Sequence, residues 1–294
     1  MPIASANGID LCYDTIGDPA DEPLLLVMGF TAQLTAWDDG FCRLLADGGR
    51  YVIRFDNRDC GLSTHLDGVT VDLPAVLKAW EAGEPPPPVP YTLSDFSNDA
   101  FGLLDHLGIE PSHIVGASMG GMIVQTMAIE HPERVRSMTS IMSTTGELDY
   151  YKWDPDTRAA LSTPPPADRA GYVEHSARLG ALLAPHRHFD PAKAPEQAAA
   201  AYDRAFYPEG AIRQTAAIRG SGHRADGLRR LRVPTLVIHG TADTLILPLG
   251  GQRTAELVDG ANLLLVKDMG HDLPEPLWPF LTGVTLAHTA HGLS

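Results

Sequence analysis

Ser112-His113-Ile114-Val115-Gly116-Ala117-Ser118-Met119-Gly120-Gly121-Met122-Ile123-Val124-Gln125-Thr126-Met127-Ala128-Ile129 joins a short apolar run to a longer one through five residues of the form G-x-S-x-G. The first run reads as a buried strand, the second as a helix. A serine at so sharp a strand-to-helix turn must take a strained backbone. Small residues on either side let strand and helix pack around it. The turn holds the hydroxyl clear of the fold, and the helix N-terminus behind it favours negative charge. In a chain with 28 glycines the bare pattern arises by chance. Its place between strand and helix is what marks Ser118 as a nucleophile.

Working outward, further short apolar runs each end where a loop could carry chemistry. Leu24-Leu25-Leu26-Val27-Met28 ends at Gly29, and Tyr51-Val52-Ile53-Arg54-Phe55 ends at Asp56. Met138-Thr139-Ser140-Ile141-Met142 follows the serine turn. Thr235-Leu236-Val237-Ile238-His239 ends at Gly240, and Leu263-Leu264-Leu265-Val266 ends before Met269-Gly270-His271. Continuous apolar runs of this length are the mark of strands buried on both faces. Helical patterns alternate with them. One covers Asp38 to Ala46, and one starts at the capping box Thr92-Leu93-Ser94-Asp95 and stops at Gly108. The alternation predicts an α/β fold with a doubly wound, mostly parallel sheet, whose ligands bind beyond the carboxyl ends of the strands.

Two segments break the rhythm. Residues 64–91 contain Pro85-Pro86-Pro87-Pro88, a stiff turn or polyproline II stretch. Residues 145–228 hold helical pieces and the aromatics Tyr150, Tyr151, Trp153, Tyr172, Tyr202, Phe206 and Tyr207. The expected organisation is a core of residues 1–144 and 229–294 with an inserted helical cap at 145–228.

Composition narrows the function classes. The 294 residues are 44 % hydrophobic, enough for one sizeable core with an insertion. The formal net charge of −15 disfavours nucleic acid and anionic membranes as partners. No apolar run is long enough to span a bilayer. The N-terminus lacks the basic and apolar regions of a signal peptide, and Asn7-Gly8 reads instead as a hairpin turn. Three widely spaced cysteines, Cys12, Cys42 and Cys60, suit neither a disulfide framework nor a zinc site, and fit a reducing cytoplasm.

A serine hydroxyl needs a base within hydrogen-bond reach and an acid to orient that base. Among twelve histidines, His271 stands out because it follows a strand and a glycine. One strand earlier, His239-Gly240-Thr241-Ala242-Asp243 delivers an aspartate to the same rim of the sheet. The chain order is therefore serine, acid, histidine: Ser118, Asp243, His271. An oxyanion hole needs two backbone N–H groups. Position assigns them to Met119, directly after the serine, and Phe30, in the loop after Met28-Gly29. Such chemistry requires no metal and no cofactor.

These residues resemble the α/β-hydrolase superfamily over nearly the whole chain outside the cap. The resemblance includes Asp56-Asn57-Arg58-Asp59-Cys60-Gly61-Leu62-Ser63, which looks like the family's D-x-R-x-x-G-x-S turn, a structural element. Most relatives carry His-Gly before the oxyanion residue, where this chain has Met28-Gly29-Phe30. That departure, with Asp18-Pro19-Ala20-Asp21 and Met269-Gly270-His271-Asp272-Leu273-Pro274, resembles a narrower group: actinobacterial carboxylesterases or lipases and the methylesterases of anthracycline (aclacinomycin) biosynthesis. The resemblance implies hydrolysis of a small-molecule carboxylic ester through an acyl-enzyme. The same triad would serve a cofactor-free perhydrolase or an acyltransferase. A binding or non-hydrolytic biosynthetic protein on the same scaffold is the other class. Met28, Met122, Trp153 and Phe206 are the expected substrate-pocket residues, on the adaptability of methionine and the aromatic content of the cap.

Overall fold

The computed structural model describes residues 1–151, 153–161, 163–185 and 187–291. Eight strands form one sheet: β1 (Ile3–Ala6), β2 (Ile9–Ile16), β3 (Glu22–Val27), β4 (Arg50–Phe55), β5 (Ser112–Ala117), β6 (Val135–Ile141), β7 (Thr235–Gly240) and β8 (Asn262–Val266). Their spatial order is β1-β2-β4-β3-β5-β6-β7-β8. β2 runs antiparallel to both β1 and β4, and every later pairing is parallel. Asn7 and Gly8, both at positive φ, make the expected turn between β1 and β2.

The helices in chain order are α1 (Asp39–Asp47), α2 (Leu73–Ala82), α3 (Leu93–His106), α4 (Met119–Glu130), α5 (Pro155–Leu161), α6 (Arg169–Leu183), α7 (Lys193–Arg204), α8 (Glu209–Gly220), α9 (Ala225–Arg230), α10 (Leu249–Leu257) and α11 (Trp278–His291). Alternate side chains of one strand feed two cores. Leu25 and Val27 pack with residues of α3 and α4, whereas Leu24 and Leu26 pack with Trp37, Phe41 and Leu281 on the opposite face. This is the two-sided burial that the unbroken apolar runs predict. α3 starts as expected, with the Asp95 carboxylate accepting the Thr92 N–H at 2.8 Å.

One expectation needs correction. Leu263-Leu264-Leu265-Val266 was read as buried on both faces, yet Leu263 and Leu265 are 40 % and 39 % exposed. β8 is the last strand in the sheet order, so it lacks a neighbour on one side. The segment 64–91 contains α2 ahead of its proline run. Asp72 caps that helix by accepting the Ala75 N–H, and Gly83 ends it at φ 67°. Aspartate before the first turn and glycine after the last were legible stop and start signals.

β3 and β5 lie side by side although β4 comes between them in sequence. The winding direction therefore reverses between β3 and β5, and the loops leaving their carboxyl ends diverge around a crevice. The loop after β3 carries Gly29 and Phe30, and the turn after β5 carries Ser118.

Helices α5 to α9 lie between β6 and β7. A buried ion pair ties α8 to the core: Arg213 donates to both oxygens of Asp59 at 2.8 Å. The same carboxylate accepts from Tyr91 Oη at 2.6 Å and from the Leu66 N–H at 2.8 Å. Burial pushes the Asp59 pKa up, but the bonds from Arg213, Leu66 and Tyr91 outweigh it and hold the carboxyl below its ordinary value. Arg213→Met removes the cation and leaves the fully buried Asp59 uncompensated. Breaking a buried pair in this way costs about 3–5 kcal/mol. Urea unfolding followed by circular dichroism should show that loss; a loss under about 1 kcal/mol, within the range of a surface pair, would mean that the pair does not anchor α8.

Candidate active site

The turn that presents Ser118 is fixed by packing. A Cβ on Gly116 would lie 2.1 Å from the Gly120 carbonyl oxygen, and one on Gly120 would lie 2.0 Å from the Val27 carbonyl oxygen. β5, α4 and β3 thus meet backbone to backbone, which only glycine allows. Between these contacts Ser118 takes φ 58° and ψ −118°, left-handed values that cost a non-glycine residue strain. The strain expected from the sequence is present. The Ser118 N–H donates to the Ile141 carbonyl at 2.9 Å, and its own carbonyl accepts from Ser143 Oγ at 2.8 Å. These bonds hold the distorted residue in place.

The three residues expected to act together are together. Ser118 Oγ lies 2.9 Å from His271 Nε2, and His271 Nδ1 lies 2.8 Å from Asp243 Oδ2. The carboxylate can only accept from Nδ1–H, which leaves Nε2 as the acceptor of the serine proton. Asp243 fills two roles at once. Its Oδ1 accepts the Leu245 and Ile246 N–H groups at 2.9 Å each, closing the turn after β7, while Oδ2 faces His271. Burial pushes the Asp243 pKa up, but the charge of His271 and the bonds from His239 and His271 outweigh it and hold the pKa at about 2, below 3.8. The carboxylate therefore stays ionised in neutral solution.

Sequence reasoning missed a second histidine on this carboxylate. His239, fully buried in β7, places Nε2 3.2 Å from Asp243 Oδ2 and 2.7 Å from the Ile246 carbonyl. Both partners are acceptors, so Nε2 carries the proton. Its place in the strand made it look like core, and only the fold shows that the ring reaches the turn residue four positions on.

The loop after β3 crosses directly over the serine: a Cβ on Gly29 would stand 3.0 Å from Ser118 Cβ. Phe30 is the next residue of that loop. Met119 is the first residue of α4, where a backbone N–H has no partner within the helix. The loop is tied down from both sides. Asn57 Nδ2 donates to the Met28 carbonyl at 2.9 Å, and Asp56 Oδ1 accepts the Leu34 N–H at 2.7 Å. From the insertion, Gln214 of α8 accepts the Thr31 N–H at 2.8 Å and donates to the Arg58 carbonyl at 2.9 Å. Thr31 itself sits at φ 54°. Gln214 is fully buried and was invisible in the sequence, because nothing local distinguishes it from any other helical glutamine.

The insertion also touches the other two loops. The His271 N–H donates to the Leu183 carbonyl at 2.7 Å. Thr244 Oγ1 donates to the Leu182 carbonyl at 2.8 Å, and the Asp154 N–H donates to the Thr244 carbonyl at 2.9 Å.

The four expected pocket residues are scattered. Met28 packs in the core with Trp37 and Phe41, and Met122 packs on the opposite side of the sheet with α3 and α4 residues. Phe206 stacks on Tyr202, with centroids 4.7 Å apart, and meets Tyr172 edge to face. Trp153 lies one residue before Asp154 and so near the acid turn.

With this geometry in place, comparison with known proteins is decisive for the family. Residues 22–275 match the model of the α/β-hydrolase fold family. The chain belongs to that family. It is 27 % identical to the rhodomycin D methylesterase DauP of Streptomyces sp. (strain C5) and 26 % identical to the rhodomycin D methylesterase DnrP of Streptomyces peucetius. Each alignment covers 96 % of this chain and 95 % of the relative. Among solved structures, a meta-cleavage product hydrolase from Pseudomonas fluorescens IP01 superposes with a TM-score of 0.77 at 19 % identity, covering 99 % of this chain and 98 % of that one. At that identity the superposition speaks for the fold alone. Among the described residues no helix is long and apolar enough to cross a membrane.

Two predictions follow from the bonding of this site. Gln214→Leu leaves the Arg58 carbonyl buried without a partner, at about 1–3 kcal/mol, and removes the partly buried bond to the Thr31 N–H. Urea unfolding should show the full loss, and Gln214→Glu, which keeps the acceptor for Thr31, should recover part of it; equal losses would mean that the Thr31 bond contributes nothing. The second concerns pH. A carboxylate whose folded pKa is depressed adds stability that is complete above 3.8 and lost as pH falls toward 2. The stability difference between the wild type and Asp243→Asn should therefore narrow over that window, and a difference independent of pH would contradict the assignment.

Proposed function

We propose that the protein is a serine hydrolase that cleaves a carboxylic ester through an acyl-enzyme, with Ser118 as nucleophile, His271 as general base and acid, and Asp243 as orienting carboxylate. One observation carries this reading: the continuous hydrogen-bonded path from Ser118 Oγ through both nitrogens of His271 to Asp243 Oδ2. Its setting supports it, since the chain is similar over nearly its full length to two rhodomycin D methylesterases.

In the first half-reaction, Ser118 Oγ attacks the ester carbonyl as His271 Nε2 takes its proton. The carbonyl oxygen becomes an oxyanion, held by the N–H groups of Phe30 and Met119. Asp243 stabilises the imidazolium and keeps the proton on Nδ1. Collapse of the intermediate breaks the bond to the alkoxy group, which leaves as an alcohol with the proton from Nε2. In the second half-reaction His271 Nε2 takes a proton from water as the water attacks the acyl-enzyme, and gives it to Ser118 Oγ as the acyl–Oγ bond breaks and the acid leaves.

The second part of the proposal concerns the substrate. Helices α5 to α9 act as a cap, a role supported by the bonds from Leu182, Leu183 and Asp154 to the loops carrying the acid and the base. The names of the relatives favour a bulky methyl ester of a fused-ring acid.

Ser118→Ala should lower turnover by about 10⁴-fold or more, and Asp243→Asn by about 10³–10⁴-fold. Both are read with an activated aryl ester, and substantial turnover by Ser118→Ala would place the nucleophile elsewhere. On a panel of unactivated methyl esters, kcat/KM for polycyclic acids should exceed that for methyl butyrate; the reverse order would sink the substrate reading while leaving the triad intact.

A further inference from the structure

Six arginines are buried, and five of them have acceptors. Arg54, Arg58 and Arg213 pair with carboxylates, Arg50 donates to Thr289, and Arg224 donates to Gln125 Oε1 and the Thr144 carbonyl. Arg219, near the end of α8, is the exception. It is 6 % exposed, and its Nε and Nη1 have no hydrogen-bond partner. Among the described residues no carboxylate pairs with it. Its guanidinium carbon instead lies 4.0 Å from the Tyr151 ring centre, 4.1 Å from that of Trp80 and 5.5 Å from that of Trp153. The Trp80 and Tyr151 rings meet nearly at right angles, so the guanidinium occupies the corner between them. Trp153 Nε1 is a third buried donor without a partner. Arg158 adds a second positive charge on the Trp153 ring, at 5.9 Å.

The rings account for part of this burial, since a cation over an aromatic face is attracted by its quadrupole. They do not satisfy in-plane N–H groups, which need acceptors. Nor do they neutralise the charge. Three unanswered donors and an uncompensated cation call for an acceptor that carries negative charge, and a guanidinium is shaped for a carboxylate. The place is also suitable. Trp153 adjoins Asp154, which is bonded to Thr244, the residue after the triad acid. Tyr151 packs against the core that contains Met119 and Met122.

We propose that Arg219 and Trp153, framed by Trp80 and Tyr151, form a subsite for a carboxylate borne by the substrate at a distance from the scissile ester. The inference rests on the ester-hydrolase reading above and adds a second anchor point to it. All three rings are half-exposed while the donors beneath them are covered, so entry of the carboxylate turns the Trp153 ring outward and changes its surroundings. On a protein of net charge −15, which repels anions at long range, Arg219 supplies the local attraction.

The test uses half-esters and diesters. Monomethyl glutarate, adipate and suberate each carry one methyl ester and one free carboxylate, at three separations; the dimethyl esters are their neutral counterparts. The best half-ester should exceed its diester in kcat/KM, and Arg219→Gln should lower that ratio about ten- to hundredfold. Trp153→Phe, which keeps a ring and loses the N–H, should lower it several-fold, and Arg219→Lys should retain part of it. A ratio unchanged by Arg219→Gln overturns the proposal. Calorimetric titration with adipate, together with tryptophan emission, reads the same site without turnover. Binding by wild type that Arg219→Gln abolishes supports the subsite even if no ester is cleaved, whereas no binding, or equal binding by both, overturns it. Loss of the ester-hydrolase reading would appear separately, as absence of turnover for half-esters and diesters alike.

Discussion

The contact between the backbones of β5, α4 and β3 is the constraint from which the site is built. Gly116 and Gly120 let three chain segments approach more closely than any side chain permits, and Ser118 is left at positive φ between them. The strain has a use. It places Ser118 at the crevice where the sheet winding reverses, and α4 starts at the next residue, so that the N-terminal N–H of Met119 follows Ser118 directly. The same approach brings the loop after β3 over Ser118, because Gly29 packs against its Cβ. One packing event thus fixes Ser118, the proposed nucleophile, and the segments carrying both backbone groups proposed to hold the oxyanion.

The acid end of the site depends on a different economy. Asp243 divides its oxygens between closing its own turn and holding His271, and His239 adds a third kind of contact from within β7. A carboxylate so fully bonded holds its charge despite burial. The position of His271 is set from the other side by Leu183, on the insertion. His271, the proposed base, is therefore oriented jointly by the sheet and by the helices of the insertion. The loop after β3 is held in the same dual way, by Asn57 and Asp56 from the core and by Gln214 from α8.

What could be read in the sequence, and what could not, follows from this division. That Ser118, Asp243 and His271 come together was legible, because each is delivered by a strand end. The strands were legible from apolar runs, except that a run of leucines looks the same in a central strand and in the edge strand β8. Gln214, His239 and Arg219 were not legible. Each acts through a partner distant along the chain or folded back upon it, and none sits in a local pattern that sets it apart. Met28 and Met122 show the converse: methionines near a motif suggested a pocket, yet they are core on opposite faces of the sheet. Local rules find residues whose role is local; long-range bonds have no such signature.

The central claim is that Ser118 forms a covalent acyl-enzyme under the control of His271. Mass spectrometry after rapid acid quench, during turnover of an activated aryl ester, tests it most directly. The account predicts a mass increase of one acyl group, mapped to the peptide containing Ser118, absent in Ser118→Ala and forming far more slowly in His271→Ala. An adduct on another residue, or ester turnover by Ser118→Ala at a rate near that of the wild type, would contradict it.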